Sequence, residues 1–411
     1  MNMNLEKYLK LRYIYLLAIV YCLFLTYFYH VDISFDTPTY INAWSTLQEC
    51  HIDKWRTPVY PVFLGIMNII FGDYYLYYVV VIQHILFLIS IRYFYLLMQS
   101  IITTNTISFL VTFFYALYPC VATYNCCIAT ETFAVTGSVF LLYSILNLYK
   151  TKQFHYGLYA FFWLFFLVFL RPAVVYLLPV TIVGWCFVAL KRGKKYNKPV
   201  VYGLTGSIIV SVILVAYMSM FKASYGVFTP SGIGLINRYT IAKAANVIDL
   251  NETGEELGFY QEAEKYINML GMEAFSDTLN QSINQNKGKF AKRLWQNMRK
   301  ASRDNLFEPS YQVGIFGVVS DFMSPPIKII YFILLIYGFI ILRRMVRWKN
   351  ITFFPCLLFM IGVSNFILII IASPGEYGRL LLPALPAYFV MFAQLVDMIW
   401  AKRNYLCSEK K

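Results

Sequence analysis

The sequence is short of charge, and shortest of acid. Only 21 of its 411 residues are Asp or Glu, and charged residues make up 14% of the chain, against about 25% in an ordinary soluble domain. So few charges cannot cover a water-facing surface, which excludes a soluble enzyme. Histidine is scarce too, with four in the chain. No HExxH pair and no CxxC with paired His supplies metal-ligand spacing. There is no GxSxG elbow, no Walker loop and no dinucleotide fingerprint, so the common soluble hydrolase, NTPase and dehydrogenase chemistries are excluded. Internal repeats and low-complexity tracts are missing as well. No cofactor is expected on these grounds, with a divalent metal the one option left open.

What remains is apolar: 59% hydrophobic and 19% aromatic. Apolar runs at 11–29, 74–98, 107–118, 132–149, 156–170, 174–190, 201–220, 327–342, 351–372 and 380–400 read as spans. The chain is therefore expected to be an all-α polytopic membrane protein with about ten transmembrane helices. The first run follows basic residues, as in a signal peptide, but no small-residue cleavage site follows it, so a retained span is expected. The net charge of +14 needs no nucleic acid, because basic residues in a membrane protein first set topology. Lys7, Lys10 and Arg12, then Lys150 and Lys152, Lys191 to Lys198, Arg343 to Lys349, and Lys402 to Lys411 fall on one side if the crossings alternate. The positive-inside rule makes that side cytoplasmic and puts both ends there.

The polar residues of interest then collect on the outer side. The stretch 34–72, SFDTPTYINAWSTLQECHIDKWRTPVYPVFLGIMNIIFG, lies in and after the first outer loop. Thr37-Pro38 and Thr57-Pro58 each read as an N-cap followed by the first helical residue, where proline's missing N–H costs nothing. The first helix would carry Tyr40, Trp44 and Leu47 on one face, suited to lying in the interface. The second reaches roughly 21 Å at about 1.5 Å per residue, short of a core of roughly 30 Å. Gly72 is placed to end it. The region 221–326 is polar, balanced in charge and helical in its apolar spacing. Three parts are expected: a membrane module over 1–220 with the loop 31–73 as its working part, an outer helical region over 221–326, and closing spans over 327–411.

Asp36 is the leading candidate, as a carboxylate at a helix start; a plain cap is its alternative. Arg171 emerges from FFWLFFLVFLRPAVVYLLP, where a buried Arg marks function unless it snorkels to lipid. Arg379, in SPGEYGRLLLPALP, is a second cation, with a salt bridge to Glu376 as its alternative. Glu131 starts a span, where a carboxylate suits the helix dipole. Arg56 is a third cation, or the partner of Asp53. Cys22, Cys186 and Cys356 read as packing residues. Cys50, Cys120, Cys126 and Cys127 are available for an outer disulfide. His30, His51 and His84 read as structural. Asn251-Glu252-Thr253 matches a glycosylation acceptor.

In order, FDTPTYINAW, RTPVYPVFLGIMNIIFG, YPCVATYNCCIATETFAV, the LRP corner and YGRLLLPALP resemble the polytopic GT-C glycosyltransferases, in particular the bacterial protein mannosyltransferase and aminoarabinose transferase-like group (glycosyltransferase family 39-like). The resemblance implies a GT-C-like fold with interfacial helices in the first outer loop. It implies transfer of a sugar from a polyprenyl-phosphate carrier to a glycan, lipid or protein acceptor, by inversion, outside a bacterial cytoplasmic (inner) membrane. It places the essential carboxylate at Asp36. Many family members follow that Asp with Glu. Here Thr37 stands there, so a second carboxylate comes from elsewhere, with Glu131 the candidate, or is absent. Arg171, Arg379 and Arg56 are then expected to hold the donor phosphate, as cations suited to an anionic leaving group. Tyr40, Trp44 and Tyr60 are expected to stack on a sugar, with Glu131 beside them. The alternatives are a carrier or flippase of lipid-linked glycan and a non-catalytic assembly protein. A carrier would place its polar residues at the bilayer midplane.

Overall fold

The computed structural model describes residues 11–192, 197–248, 258–303, 327–346, 353–373, 375 and 377–408. Glu376, the Asn251-Glu252-Thr253 motif, residues 304–326 and most of the basic loop around Lys194 lie outside them.

The described chain is a helical bundle. In order it contains α1 (Leu11–Tyr29), α2 (Thr37–Gln48), α3 (Val59–Phe71), α4 (Tyr75–Gln99), α5 (Asn105–Ala116), α6 (Pro119–Tyr124), α7 (Glu131–Thr151), α8 (Phe154–Leu170), α9 (Leu177–Arg192) and α10 (Lys198–Tyr225). Then come α11 (Ile233–Lys243), α12 (Phe259–Leu270), α13 (Met272–Gln285), α14 (Lys287–Ala301), α15 (Lys328–Val346), α16 (Phe353–Ala372), α17 (Tyr377–Leu381) and α18 (Leu385–Ser408). Among the described residues, 7 helical stretches are long and apolar enough to cross a membrane, and α5 and α8 are apolar but shorter. Each of the ten runs read as a span contains a helix.

α7 is the axis of the bundle. In its membrane window 83% of residues are buried, and it packs mainly on α8 and α4. Hydrocarbon gives helices no hydrophobic reason to associate, so close approach through small residues matters more. Gly137 of α7 faces Leu167 and Trp163 of α8, and Gly157 of α8 faces Tyr202 of α10. A closer approach is at Gly203 of α10, where an added Cβ would lie 2.2 Å from the Trp185 ring. Trp185 is 2% exposed there and lies 4.8 Å from Phe353, centroid to centroid.

α2 and α3 differ in detail from the sequence expectation. Their cap positions are Asp36 and Pro58, one residue away from the expected places. Helix ends are uncertain by that much in any assignment. The α2 face with Tyr40 and Trp44 packs on protein. Trp44 lies flat over Gly65 of α3, whose Cβ would fall 2.1 Å from the indole, and Tyr40 meets Tyr60 edge-on at 4.9 Å. α3 does stop at Gly72, with φ 56, and the chain folds back as α4.

Helices α11 to α13, with the end of α10, build a second apolar cluster around Phe221, Leu235, Tyr239, Ile267 and Phe275. Glu262, buried within it, accepts from Tyr239 Oη at 2.7 Å and from Lys243 Nζ. A carboxylate in such a place needs partners, because desolvating a charge is expensive. The same cluster takes in Ile52 and Trp55 of the α2–α3 loop. That loop is fastened by Tyr225 Oη to Ile52 O (2.7 Å), Ser231 Oγ to Trp55 O (2.6 Å) and Gly232 N to Lys54 O (2.9 Å). The end of α10 and the turn into α11 thus hold the backbone that leads into Arg56.

Among the described cysteines, Cys50, Cys126 and Cys127 are free. Cys22 is buried as expected of a packing residue. Cys186 is exposed, on a face turned away from the bundle.

Candidate active site

Local chemistry brings the loop after α1 and the loop before α7 together. Asp32 N donates to Cys126 O, and Ile128 N donates back to Asp32 O, both at 2.9 Å. Thr37 Oγ1 adds a bond to Ile128 O at 2.9 Å. These bonds set Asp36 beside the start of α7, where Glu131 is the first residue. Asp36 sits at the cap position of α2 without using its side chain as a cap. Its backbone carbonyl takes the Thr39 and Tyr40 N–H groups at 3.1 and 3.2 Å, so the carboxylate is free to point elsewhere.

Arg171 is placed by the proline that follows it. The residue before a proline is pushed out of the helical region, and Arg171 ends α8 with φ −154 and ψ 127. Its Nη1 donates to Glu131 Oε1 at 2.8 Å. Arg379 arrives on α17, the short helix before α18. It donates from Nε to the same Glu131 oxygen and from Nη2 to Asp36 Oδ2. Arg56 completes the set, with Nη2 to Asp36 Oδ1 at 2.5 Å and Nε to Thr39 Oγ1 at 2.7 Å. Its guanidinium also lies over the Tyr40 ring, 4.3 Å from the centroid.

Five side chains therefore form one chain of ion pairs: Arg56, Asp36, Arg379, Glu131, Arg171. Arg171 and Arg379 meet although they come from distant parts of the sequence, and they meet on a carboxylate. Arg56 pairs with Asp36, not with Asp53. Asp53 instead accepts the Trp55 and Arg56 backbone N–H groups at 2.8 and 2.6 Å, closing a local turn. The Glu131 side chain is 0% exposed, and its Oε2 has no hydrogen-bond partner among the described residues.

Burial by itself pushes the Asp36 carboxyl up. The charges of Arg56 and Arg379, with their hydrogen bonds, outweigh it and hold Asp36 well below the usual carboxylate range. Asp53 shows the opposite balance. Burial raises it, and the Arg56 and Trp55 backbone N–H groups only partly offset that.

The cluster opens on a cavity of about 620 Å³. Asp36, Arg56, Arg171, Arg379 and Tyr40 line it. Trp44 and Tyr60 do not, which corrects the expectation that they stack on a sugar. Trp44 is spent on Gly65. Tyr60 is 0% exposed, with its hydroxyl on Gln83 Oε1 at 3.3 Å. Glu131 stands behind the cavity as the support of two arginines. The lining also includes residues that sequence reasoning did not single out: Trp55, Asn237, Tyr260 and Glu264. The only signal for the last three was membership of a polar helical region, and for Trp55 its place in the first-loop stretch.

Three guanidinium groups surround two carboxylates, leaving one positive charge in excess. That balance suits an arriving anion such as a phosphate, for which guanidinium is a good partner. Among the described residues no group of three or more His, Cys, Asp or Glu side chains is arranged to hold a metal ion.

No protein-family model and no curated protein sequence matches the chain. Solved structures do. The archaeal oligosaccharyltransferase AglB from Archaeoglobus fulgidus, in complex with an inhibitory peptide and a dolichol-phosphate, aligns over 97% of this chain with a TM-score of 0.50 and 14% identity. The apo form of the Archaeoglobus fulgidus oligosaccharyltransferase gives a TM-score of 0.51 at 14% identity over 97% of this chain. The form tethered to an acceptor peptide containing the NVT sequon gives 0.50 at 15% over 95%. This chain spans about half the length of those proteins, 52%, 52% and 50% respectively. At such identity the likeness is one of fold: an all-α polytopic membrane protein with a GT-C-like arrangement of helices.

Proposed function

We propose that this chain is a membrane glycosyltransferase of the GT-C type, moving a sugar from a polyprenyl-phosphate-linked donor to an acceptor outside a bacterial cytoplasmic membrane, with both ends cytoplasmic. The observation that carries the reading is the Arg56–Asp36–Arg379–Glu131–Arg171 cluster opening on one cavity. A carrier reading fits less well, because these residues sit at helix ends and in loops, not at the middle of spans.

In the reaction the acceptor O–H or N–H attacks the anomeric carbon of the donor sugar. The carbon–oxygen bond to phosphate breaks and polyprenyl phosphate leaves with the electron pair. Attack opposite the leaving group inverts the anomeric centre, and the acceptor proton passes to Asp36. At rest Asp36 is a weak base, because two arginines stabilise its ionised form. A donor phosphate competes for the same guanidinium groups. Each one drawn to phosphate leaves Asp36 less stabilised and more basic. The cluster thus links donor arrival to base strength. Arg171 and Arg379, kept apart from bulk solvent by Glu131 and the helix ends, neutralise the charge that grows on the leaving phosphate.

The test is transfer of radiolabelled sugar from polyprenyl-phosphate donors in membranes holding the protein. Asp36→Asn keeps the shape of the side chain and removes the base, so transfer should fall by roughly a hundredfold or more. Transfer at the wild-type rate in that variant would remove Asp36 from the mechanism.

A further inference from the structure

Part of the cavity lining is of a different chemical kind from the arginines. Tyr260 and Glu264 of α12, Asn237 of α11 and Trp55 of the α2–α3 loop line it. Tyr260 Oη donates to Asn237 Oδ1 at 2.6 Å, which turns that amide so that its N–H₂ group remains to donate. The Tyr260 residue is 44% exposed. Glu264 is exposed and carries no hydrogen bond or ion pair among the described residues, although its charge acts on Lys54. Lys54 is itself engaged, with Nζ on Asn268 Oδ1 at 2.7 Å.

We propose that this wall is an acceptor subsite and that the acceptor it takes is a carbohydrate. The inference rests on the glycosyltransferase reading of the same cavity and adds the class of its second substrate. A pyranose offers two kinds of surface. Its C–H face is apolar and packs on an aromatic ring, here Tyr260 or Trp55. Its neighbouring hydroxyls present donors and acceptors together. A carboxylate accepts from such a pair, and an amide N–H donates to one. Aromatic, carboxylate and amide groups on one wall supply all three contacts. An extended peptide held by strand addition needs a strand edge with unpaired N–H and C=O groups. Among the described residues the only β-type pairing is the single bridge between Asp32 and Cys127, which does not line this cavity. The division of labour is then set by charge: anionic donor phosphate on the arginine wall, neutral hydroxyl-rich acceptor on the α11–α12 wall, and Asp36 between them.

The experiment uses the full chain in lipid nanodiscs on an array of immobilised glycans, with a parallel array of hydroxyl-bearing peptides. Binding to a set of glycans is expected. Tyr260→Ala and Glu264→Gln should each weaken it by about tenfold, one stacking or charged contact at about 1.4 kcal/mol. Tyr260→Phe keeps the ring and should keep most of the binding, and an unchanged elution volume and melting point show that the variants fold. Binding to peptides alone, no glycan binding, or glycan binding indifferent to both Tyr260→Ala and Glu264→Gln would overturn the proposal. The two readings fail separately. Sugar transfer without glycan contact to this wall leaves the transferase standing and removes the subsite. Glycan binding at this wall with no transfer from any donor leaves the subsite and removes the transferase.

Discussion

Arg379 is the residue whose replacement tests the cluster most sharply. It joins two carboxylates through different edges of one guanidinium, Nη2 to Asp36 and Nε to Glu131. Alanine removes both contacts. Glu131, with its side chain 0% exposed, would then rely on Arg171 alone. Breaking a buried pair costs about 3–5 kcal/mol. The Asp36 side chain is 25% exposed, so solvent screening discounts its share and the lower end of that range applies. A large loss of thermal stability is expected, and by itself it would say little about catalysis. Arg379→Lys separates the two. A lysine ammonium is a point charge and cannot span both carboxylates as the planar fork does, yet it keeps one buried ion pair. Stability should recover in part. Donor use should not, because loss of a charge-assisted contact to phosphate is worth about 1.5–3 kcal/mol, or about ten- to a hundredfold in kcat/KM for the donor. The assay is transfer from a radiolabelled polyprenyl-phosphate sugar at varied donor concentration, with melting followed on the same preparations. If Arg379→Lys melts lower but keeps donor kcat/KM within twofold, the guanidinium is a structural brace and the phosphate argument fails.

Other consequences follow from the same contacts. Asp36 is held below its ordinary value of 3.8, so it contributes stability above that pH and loses it as pH falls through the lower folded value; melting curves of wild type should drop in acid more steeply than those of Asp36→Asn, and equal slopes would refute the pairing. Gly203→Ala forces a methyl within 2.2 Å of the buried Trp185 ring; overpacking of about 1–3 kcal/mol should exceed the helix-propensity gain of about 1 kcal/mol and lower the melting point. Gly288→Ala, with nothing within 4 Å, should be neutral or slightly stabilising in the same assay. Reporter fusions at Lys194 and Lys349 should report the cytoplasm and one near Gln285 the outside, and a cytoplasmic signal near Gln285 would reverse the proposed orientation.

The sequence alone determined the class of molecule and where to look. Apolar runs and helix-ending residues such as Gly72 and Arg171-Pro172 act locally, through backbone geometry and the solvent a segment needs, so they are legible without neighbours. Local patterning also singled out Asp36, Glu131, Arg56, Arg171 and Arg379, because charged residues next to hydrocarbon are costly and therefore conspicuous. Their pairing was not legible. Asp53 and Arg56 stand three residues apart, yet two backbone N–H groups satisfy Asp53 and the Arg56 side chain turns to Asp36. Which face of α2 would be covered was not legible either. Trp44 and Tyr60 match sugar-stacking residues in type, but α3 and α4 had already claimed them. Glu131 became the junction of two arginines only because α7 runs through the centre of the bundle, where a carboxylate must find cations or remain unpaired. The Asn237, Tyr260 and Glu264 wall depended on α11 and α12 packing against the α2–α3 loop. Residues so far apart in the chain meet only through tertiary packing, and no periodicity within one segment encodes which distant segment it will face.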